Sequence, residues 1–202
     1  MMLITPPALT VYTDFVCPWC YIGDMYLRDA STKRDFDIHY VMFPLHPETP
    51  SSGLTLNKLF KGRFDNLQKV QDAIRKQAIA LGLRYGTRTH TYNSLNAQII
   101  GKALSDPKDF ELFKLAVFEK YFGDGCNIGD SLVLQQILDN INNRKWNAID
   151  LINDADLQQQ VEQDWILCRT NGITGVPTFQ QGDRYCFGVQ QTANILNLLF
   201  PE

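Results

Sequence analysis

Two cysteines separated by two residues, Cys17-Pro18-Trp19-Cys20, are the part of this chain best suited to chemistry. A dithiol can close and open a disulfide if its sulfurs can meet and if one of them can be reached. At a helix start both conditions are met, because residues three apart share one helical face. The first cysteine also lies over unpaired backbone N–H groups at the positive end of the helix dipole, which favours thiolate over thiol. A free thiol of pKa ~8.5 is about 3% ionised at neutral pH, and lowering that value to ~7 raises the thiolate fraction roughly 16-fold. Lost nucleophilicity takes back roughly 5-fold, so attack gains only about 3-fold. The larger benefit is to a thiolate that must leave a mixed disulfide. Cys17 is therefore expected to be the exposed attacking sulfur. Cys20, one turn deeper, is the more buried resolving sulfur.

The elements around this motif must place it at such a helix start. Residues 8–16 are rich in β-branched and aromatic side chains and read as a buried strand. A helix follows from near Pro18 to residue 33, with proline tolerated in its first turn. Residues 36–43 form a second strand, closed by Pro44, Pro47 and Pro50. From 51 to 153 the pattern is helical. Leu67, Val70, Ile74, Ala78 and Leu81 repeat at helical spacing until Gly82, Asp106-Pro107 opens another helix, and Gly129-Asp130 opens a further one. A helix over 155–170 follows. Next come a strand signal over 173–180 with Pro177 inside it, a hairpin partner at 184–187 and a terminal helix over 192–200.

With the helical block removed, the remainder is a βαβ unit followed by a β-hairpin and a helix. That order is the thioredoxin arrangement, and a C-x-x-C beside a βαβ pattern is its redox signature. The expected fold is α/β: a discontinuous thioredoxin-like domain over 1–50 and 154–202, and a large all-helical insertion over 51–153. In this arrangement the loop at Val176-Pro177 faces the sulfurs. A proline there is usually cis, and it leaves Val176 to offer its backbone to an extended substrate. Pro18 and Trp19 are candidate supporting residues, Trp19 either shaping the substrate-facing surface or packing on the sheet. Asp14, at the end of the first strand, is a candidate proton relay to Cys20, with a solvated turn residue the plainer reading.

Composition bounds the alternatives. The chain has 202 residues, 45% hydrophobic and 20% charged, with net charge −3. Nothing in it resembles the basic footprint of a nucleic-acid binder. No leader is expected: the first basic residue is Arg28, prolines interrupt the opening residues, and no run approaches the ~20 apolar residues of a membrane span. The expected setting is cytoplasmic, where a disulfide is usually transient and catalytic. Five cysteines is an odd number and disfavours a closed disulfide framework. Cys168 and Cys186 read as bystanders, a bridge between them being the lesser alternative, and Cys126 as a turn thiol. Zinc wants paired ligand spacings. No second C-x-x-C is present, and His39, His46 and His90 are scattered, so no metal is expected.

Residues 12–23, from Tyr12 through Cys17-Pro18-Trp19-Cys20 to Gly23, resemble the active-site segment of DsbA-like thioredoxin-fold proteins, specifically the FrnE-like branch. Residues 43–50, 121–130, 172–179 and 187–190 resemble further segments of that branch. The resemblance implies a thioredoxin core interrupted by a helical domain and a thiol–disulfide oxidoreductase. Cys17 and Cys20 would be its redox pair and Pro177 its cis-proline. Its substrates would be disulfides or thiols of proteins or small molecules. Beyond the redox disulfide no cofactor is implied, and glutathione is a candidate co-substrate. Two departures stand out: Ala97-Gln98 occupies a place where the branch often has Ala-His, and His46 stands where a small polar residue is more usual. Hydroxychromene-carboxylate isomerases and kappa-class glutathione transferases share the order of elements but typically have serine at the position of Cys17. A glutathione-dependent isomerase or transferase is thus the second reading, and a non-catalytic thioredoxin-like binding module the third.

Overall fold

A computed structural model of the chain describes residues 6–141 and 146–201. Residues 1–5, on which part of the expectation of no leader rests, lie outside that range. In chain order the elements are β1 (Ala8–Thr13), α1 (Pro18–Lys33), β2 (Asp37–Met42), β3 (Leu54–Thr55), α2 (Leu56–Leu59), α3 (Leu67–Ala80), β4 (His90–Thr91), α4 (Leu95–Ala103) and α5 (Pro107–Phe118). A π-helical turn (Glu119–Gly123) follows, then α6 (Ser131–Leu138), α7 (Ala148–Ile152), α8 (Ala155–Thr170), β5 (Thr178–Gln181), β6 (Arg184–Phe187) and α9 (Thr192–Leu199). Contacts divide the chain into two compact units, residues 1–45 with 164–202, and residues 46–163. The first division falls five residues before the expected one, and the second falls ten residues after it, inside α8.

The discontinuous unit is built on a four-stranded sheet of order β2-β1-β5-β6. β1 runs parallel to β2 and antiparallel to β5, and β5 is antiparallel to β6. Alternation along β1 sends Leu9 and Val11 to one face, where they pack with Leu27 and Ala30 of α1 and Ile195, Leu198 and Leu199 of α9. Tyr12 points to the other face, with Val41, Cys168 and Ile173. Its phenol is satisfied there, donating to Gln180 Oε1 at 2.6 Å and accepting from Asn171 Nδ2 at 2.9 Å. This is the thioredoxin arrangement. One boundary differs from expectation: the last strands begin at Thr178, not at 173. Proline has no N–H for the ladder, and Pro177 instead accepts at its carbonyl from Gly188 N–H at 2.8 Å.

The inserted unit is mainly helical, but the expectation of an all-helical block is corrected. Leu54 pairs with Thr91 and Thr55 with His90 in a two-stranded antiparallel ladder. Strands of two residues are too short to leave an alternating pattern. Capping explains the helix starts: Asn66, Asp106, Asp130 and Asn147 each accept from backbone N–H groups of the turn that follows. Gly82 stops α3 with φ +76°. The apolar faces read at 110–121 and 134–141 are buried, including Phe113, Val117, Tyr121, Leu134, Ile137 and Ile141. Among the described residues no helix is long and apolar enough to cross a membrane.

Candidate active site

β1 ends at Thr13, and Asp14–Val16 turn the chain into α1, with Cys17 as N-cap and Pro18 in the first turn. Cys17 has extended backbone angles (φ −88°, ψ 114°) and its side chain makes no cap bond to the helix backbone. The backbone closes the turn: Cys17 N–H donates to the Asp14 carbonyl at 3.1 Å, and the Cys17 carbonyl accepts from Cys20 N–H at 3.1 Å. Across from it lies the loop leading into β5. The Val176–Pro177 peptide bond is cis, and the Cys17 thiol donates to the Val176 carbonyl at 3.3 Å.

The expected contrast between an exposed Cys17 and a buried Cys20 is corrected. Both are free thiols, and each residue is only 3% exposed. The Val176 carbonyl lies against the Cys17 sulfur, a tertiary contact between residues far apart in sequence. The surroundings of Cys20 are particular. Burial pushes its thiol well above the ordinary range, helped by its hydrogen bond to Cys17 and by the Cys17 charge. The Asp14 backbone and the Thr13 hydroxyl act in the opposite direction.

Asp14 is not a solvated turn residue; it is completely buried. Its Oδ1 accepts from Val16 N–H at 3.0 Å and its Oδ2 from Leu45 N–H at 2.9 Å. The carboxylate thus joins the turn carrying Cys17 to the proline-rich segment after β2. Trp19 points outward, 38% exposed, and Cys168 is buried with its thiol on the Met42 carbonyl at 3.5 Å. Cys126, Cys168 and Cys186 are all free, so the Cys168–Cys186 bridge is absent. Among the described residues no group of three or more His, Cys, Asp or Glu is placed to hold a metal ion.

Two contributors escaped the sequence reading. Thr13 sits beside Cys20, and nothing in its strand pattern marks it. Gly23 does carry a signal, as the one glycine inside α1. A Cβ added there would meet Pro177 Cγ at 3.3 Å and Phe179 Cζ at 3.8 Å. The helix bearing the dithiol approaches the cis-proline loop closely because this position has no side chain.

Comparison with known proteins bears on the family and the fold. The model of the DSBA-like thioredoxin domain family matches residues 8–200. The uncharacterized protein YwbO of Bacillus subtilis (strain 168) is 27% identical over 182 residues, covering 87% of this chain and 86% of its own. A probable DsbA oxidoreductase, SCO1869 from Streptomyces coelicolor, superposes with a TM-score of 0.84 at 19% identity, covering 97% of this chain and 91% of its own. The cytosolic disulfide reductase DsbM from Pseudomonas aeruginosa, solved with GSH, gives 0.60 at 16% identity, covering 96% and 93%. At these identities the structural likenesses speak for the fold.

Proposed function

Because the chain belongs to the DSBA-like thioredoxin domain family, we propose that it is a thiol–disulfide oxidoreductase whose redox pair is Cys17 and Cys20. The observation that carries this reading is the meeting of the Cys17 sulfur, at the N-cap of α1, with the Val176 carbonyl before the cis Pro177. In the reducing direction the Cys17 thiolate attacks one sulfur of a substrate disulfide. The S–S bond breaks, one substrate thiolate leaves, and a mixed disulfide forms. Cys20, once deprotonated, attacks the Cys17 sulfur and releases the second substrate thiolate. The substrate gains two electrons and two protons, and the enzyme dithiol becomes a disulfide. The oxidising direction is the reverse.

Val176 serves both states. Its carbonyl accepts from the Cys17 thiol in the reduced protein. Once that proton has gone, the carbonyl is released to accept an N–H from an extended substrate. Pro177 and the exposed Trp19 are the proposed supporting residues, and Pro18 starts the helix. Asp14 holds the turn and is the candidate proton relay to Cys20. Disulfides or thiols of proteins and small molecules are the substrate class. The Pseudomonas neighbour supports both glutathione as a small-thiol partner and a cytosolic setting.

Cys20→Ser provides the test. Challenged with a disulfide, it should accumulate a mixed disulfide through Cys17, identified by mass spectrometry, while Cys17→Ser forms none. No adduct on Cys20→Ser sinks the assignment. So does a Cys17→Ser protein that keeps substantial glutathione-dependent activity on a small electrophile.

A further inference from the structure

Among the described residues Arg88, in the inserted unit, forms no ion pair, and its hydrogen-bond partners are two phenols, Tyr121 and Tyr85. Arg88 is partly buried and donates from Nη2 to the Tyr121 hydroxyl at 2.7 Å. Its guanidinium carbon lies 5.0 Å and 4.9 Å from the ring centroids of Tyr121 and Phe122. Among the described residues its buried Nε has no acceptor. Asp124 is close in sequence to those rings, but it is held by Arg84 at 2.7 Å and Lys120 at 3.4 Å. The surroundings add positive charge. Burial, then Arg63 and Arg88, push the His46 imidazole below its ordinary value. Burying a cation without a counter-charge is costly, and cation–π contact offsets part of that cost.

Both rings are carried by the π-helical turn Glu119–Gly123, a distortion frequent at functional sites. Beside it Arg88, Thr87, His90, Tyr92 and Tyr121 line a recess of about 30 Å³. About two water-sized groups fit in such a volume, which suits the two oxygens of a carboxylate. A second recess, which Arg88 lines together with Gln71 and Asp72, is about 10 Å³, room for one water; the Asp72 carboxylate accepts from Gln68 Nε2 at 3.0 Å.

We propose that the larger recess is an anion site in which the Arg88 guanidinium binds a single carboxylate group, such as that of a small acid or a peptide terminus. A planar guanidinium matches two carboxylate oxygens, which a lysine ammonium does not. This site does not depend on the redox reading of Cys17 and Cys20.

The test is an NMR titration of the full-length reduced protein, following the Arg88 Nε–H resonance at constant ionic strength. N-Acetylglycine should shift it saturably, the neutral N-acetylglycinamide should not, and inorganic phosphate should bind at least about tenfold more weakly. No saturable shift with N-acetylglycine overturns the proposal, as does an equal response to the amide. Tighter binding of phosphate overturns the carboxylate assignment. Arg88→Lys keeps the charge and, followed through the backbone amides of the recess residues His90 and Tyr92, should lose saturable binding; unchanged affinity in that variant also overturns it. If the variant does not fold, the titration of the unaltered protein decides.

Discussion

The thiol of Cys17 rests on the Val176 carbonyl, whereas that of Cys20 is enclosed with Cys17, Thr13 and the Asp14 backbone around it. Burial raises the Cys20 value in the folded chain above its unfolded one, which for a thiol lies near ~8.5. The folded state then binds more protons above that pH. Its contribution to stability is complete below the unfolded value and is lost as pH rises toward the folded one. Reduced wild-type protein should therefore lose stability more steeply than Cys20→Ser in urea titrations at alkaline pH. Parallel curves would contradict this account. Asp14 makes a separate prediction. Asp14→Ala strands the N–H groups of Val16 and Leu45, each at a cost of about 1–3 kcal/mol, measurable by the same titration. Asp14→Asn retains one of the two acceptors and removes the titratable proton, so its pH–rate profile, read beside its stability loss, separates proton relay from positioning. An unchanged pH–rate profile for disulfide exchange would leave Asp14 only the structural task. The residue types at 14, 17, 20 and 177 were legible in the sequence. The burial of Cys17 was not, because it depends on a loop some 160 residues away.

At the scale of elements, α1 is placed by what it lacks. Its Gly23 face lies against Pro177 and Phe179. Replacing a mid-helix glycine by alanine normally gains about 1 kcal/mol, but here the new methyl would sit 3.3 Å from Pro177 Cγ. The two effects oppose, so Gly23→Ala should be close to neutral in thermal unfolding. Gly23→Val adds atoms that have no room, and should cost about 1–3 kcal/mol. It should also slow mixed-disulfide formation by displacing the loop from Cys17. A Gly23→Val protein as stable and as reactive as wild type would contradict the packing described. Helix starts were readable from Asp106, Asp130 and Pro18 because caps are local chemistry. The ladder Leu54–Thr91 and Thr55–His90 was not, since its partners are distant and each strand is two residues long. The π-helical turn was likewise hidden, because its apolar spacing continues that of α5.

At the scale of the whole molecule, none of the five cysteines is in a disulfide, and the proposed function makes two of them the redox pair and three bystanders. Oxidation by glutathione disulfide should lower the thiols titrated in denaturant from five to three, with Cys17 and Cys20 joined in the peptide map. A count of one, signalling a Cys168–Cys186 bridge, would contradict the free, separately packed thiols of the fold. The sequence by itself determined the order of elements, the position of the dithiol at a helix start, the interruption of the core by a helical insertion and the proline that meets the site. These follow from periodicity, capping and the special backbone of proline, all of which act over a few residues. Only the tertiary structure decided that Cys17 is as buried as Cys20, that Asp14 fastens two segments together, that Gly23 is a contact surface and that Arg88 lies among aromatic rings, with no ion pair among the described residues. Each of those depends on which distant side chains share a volume, and burial and electrostatics are properties of that volume.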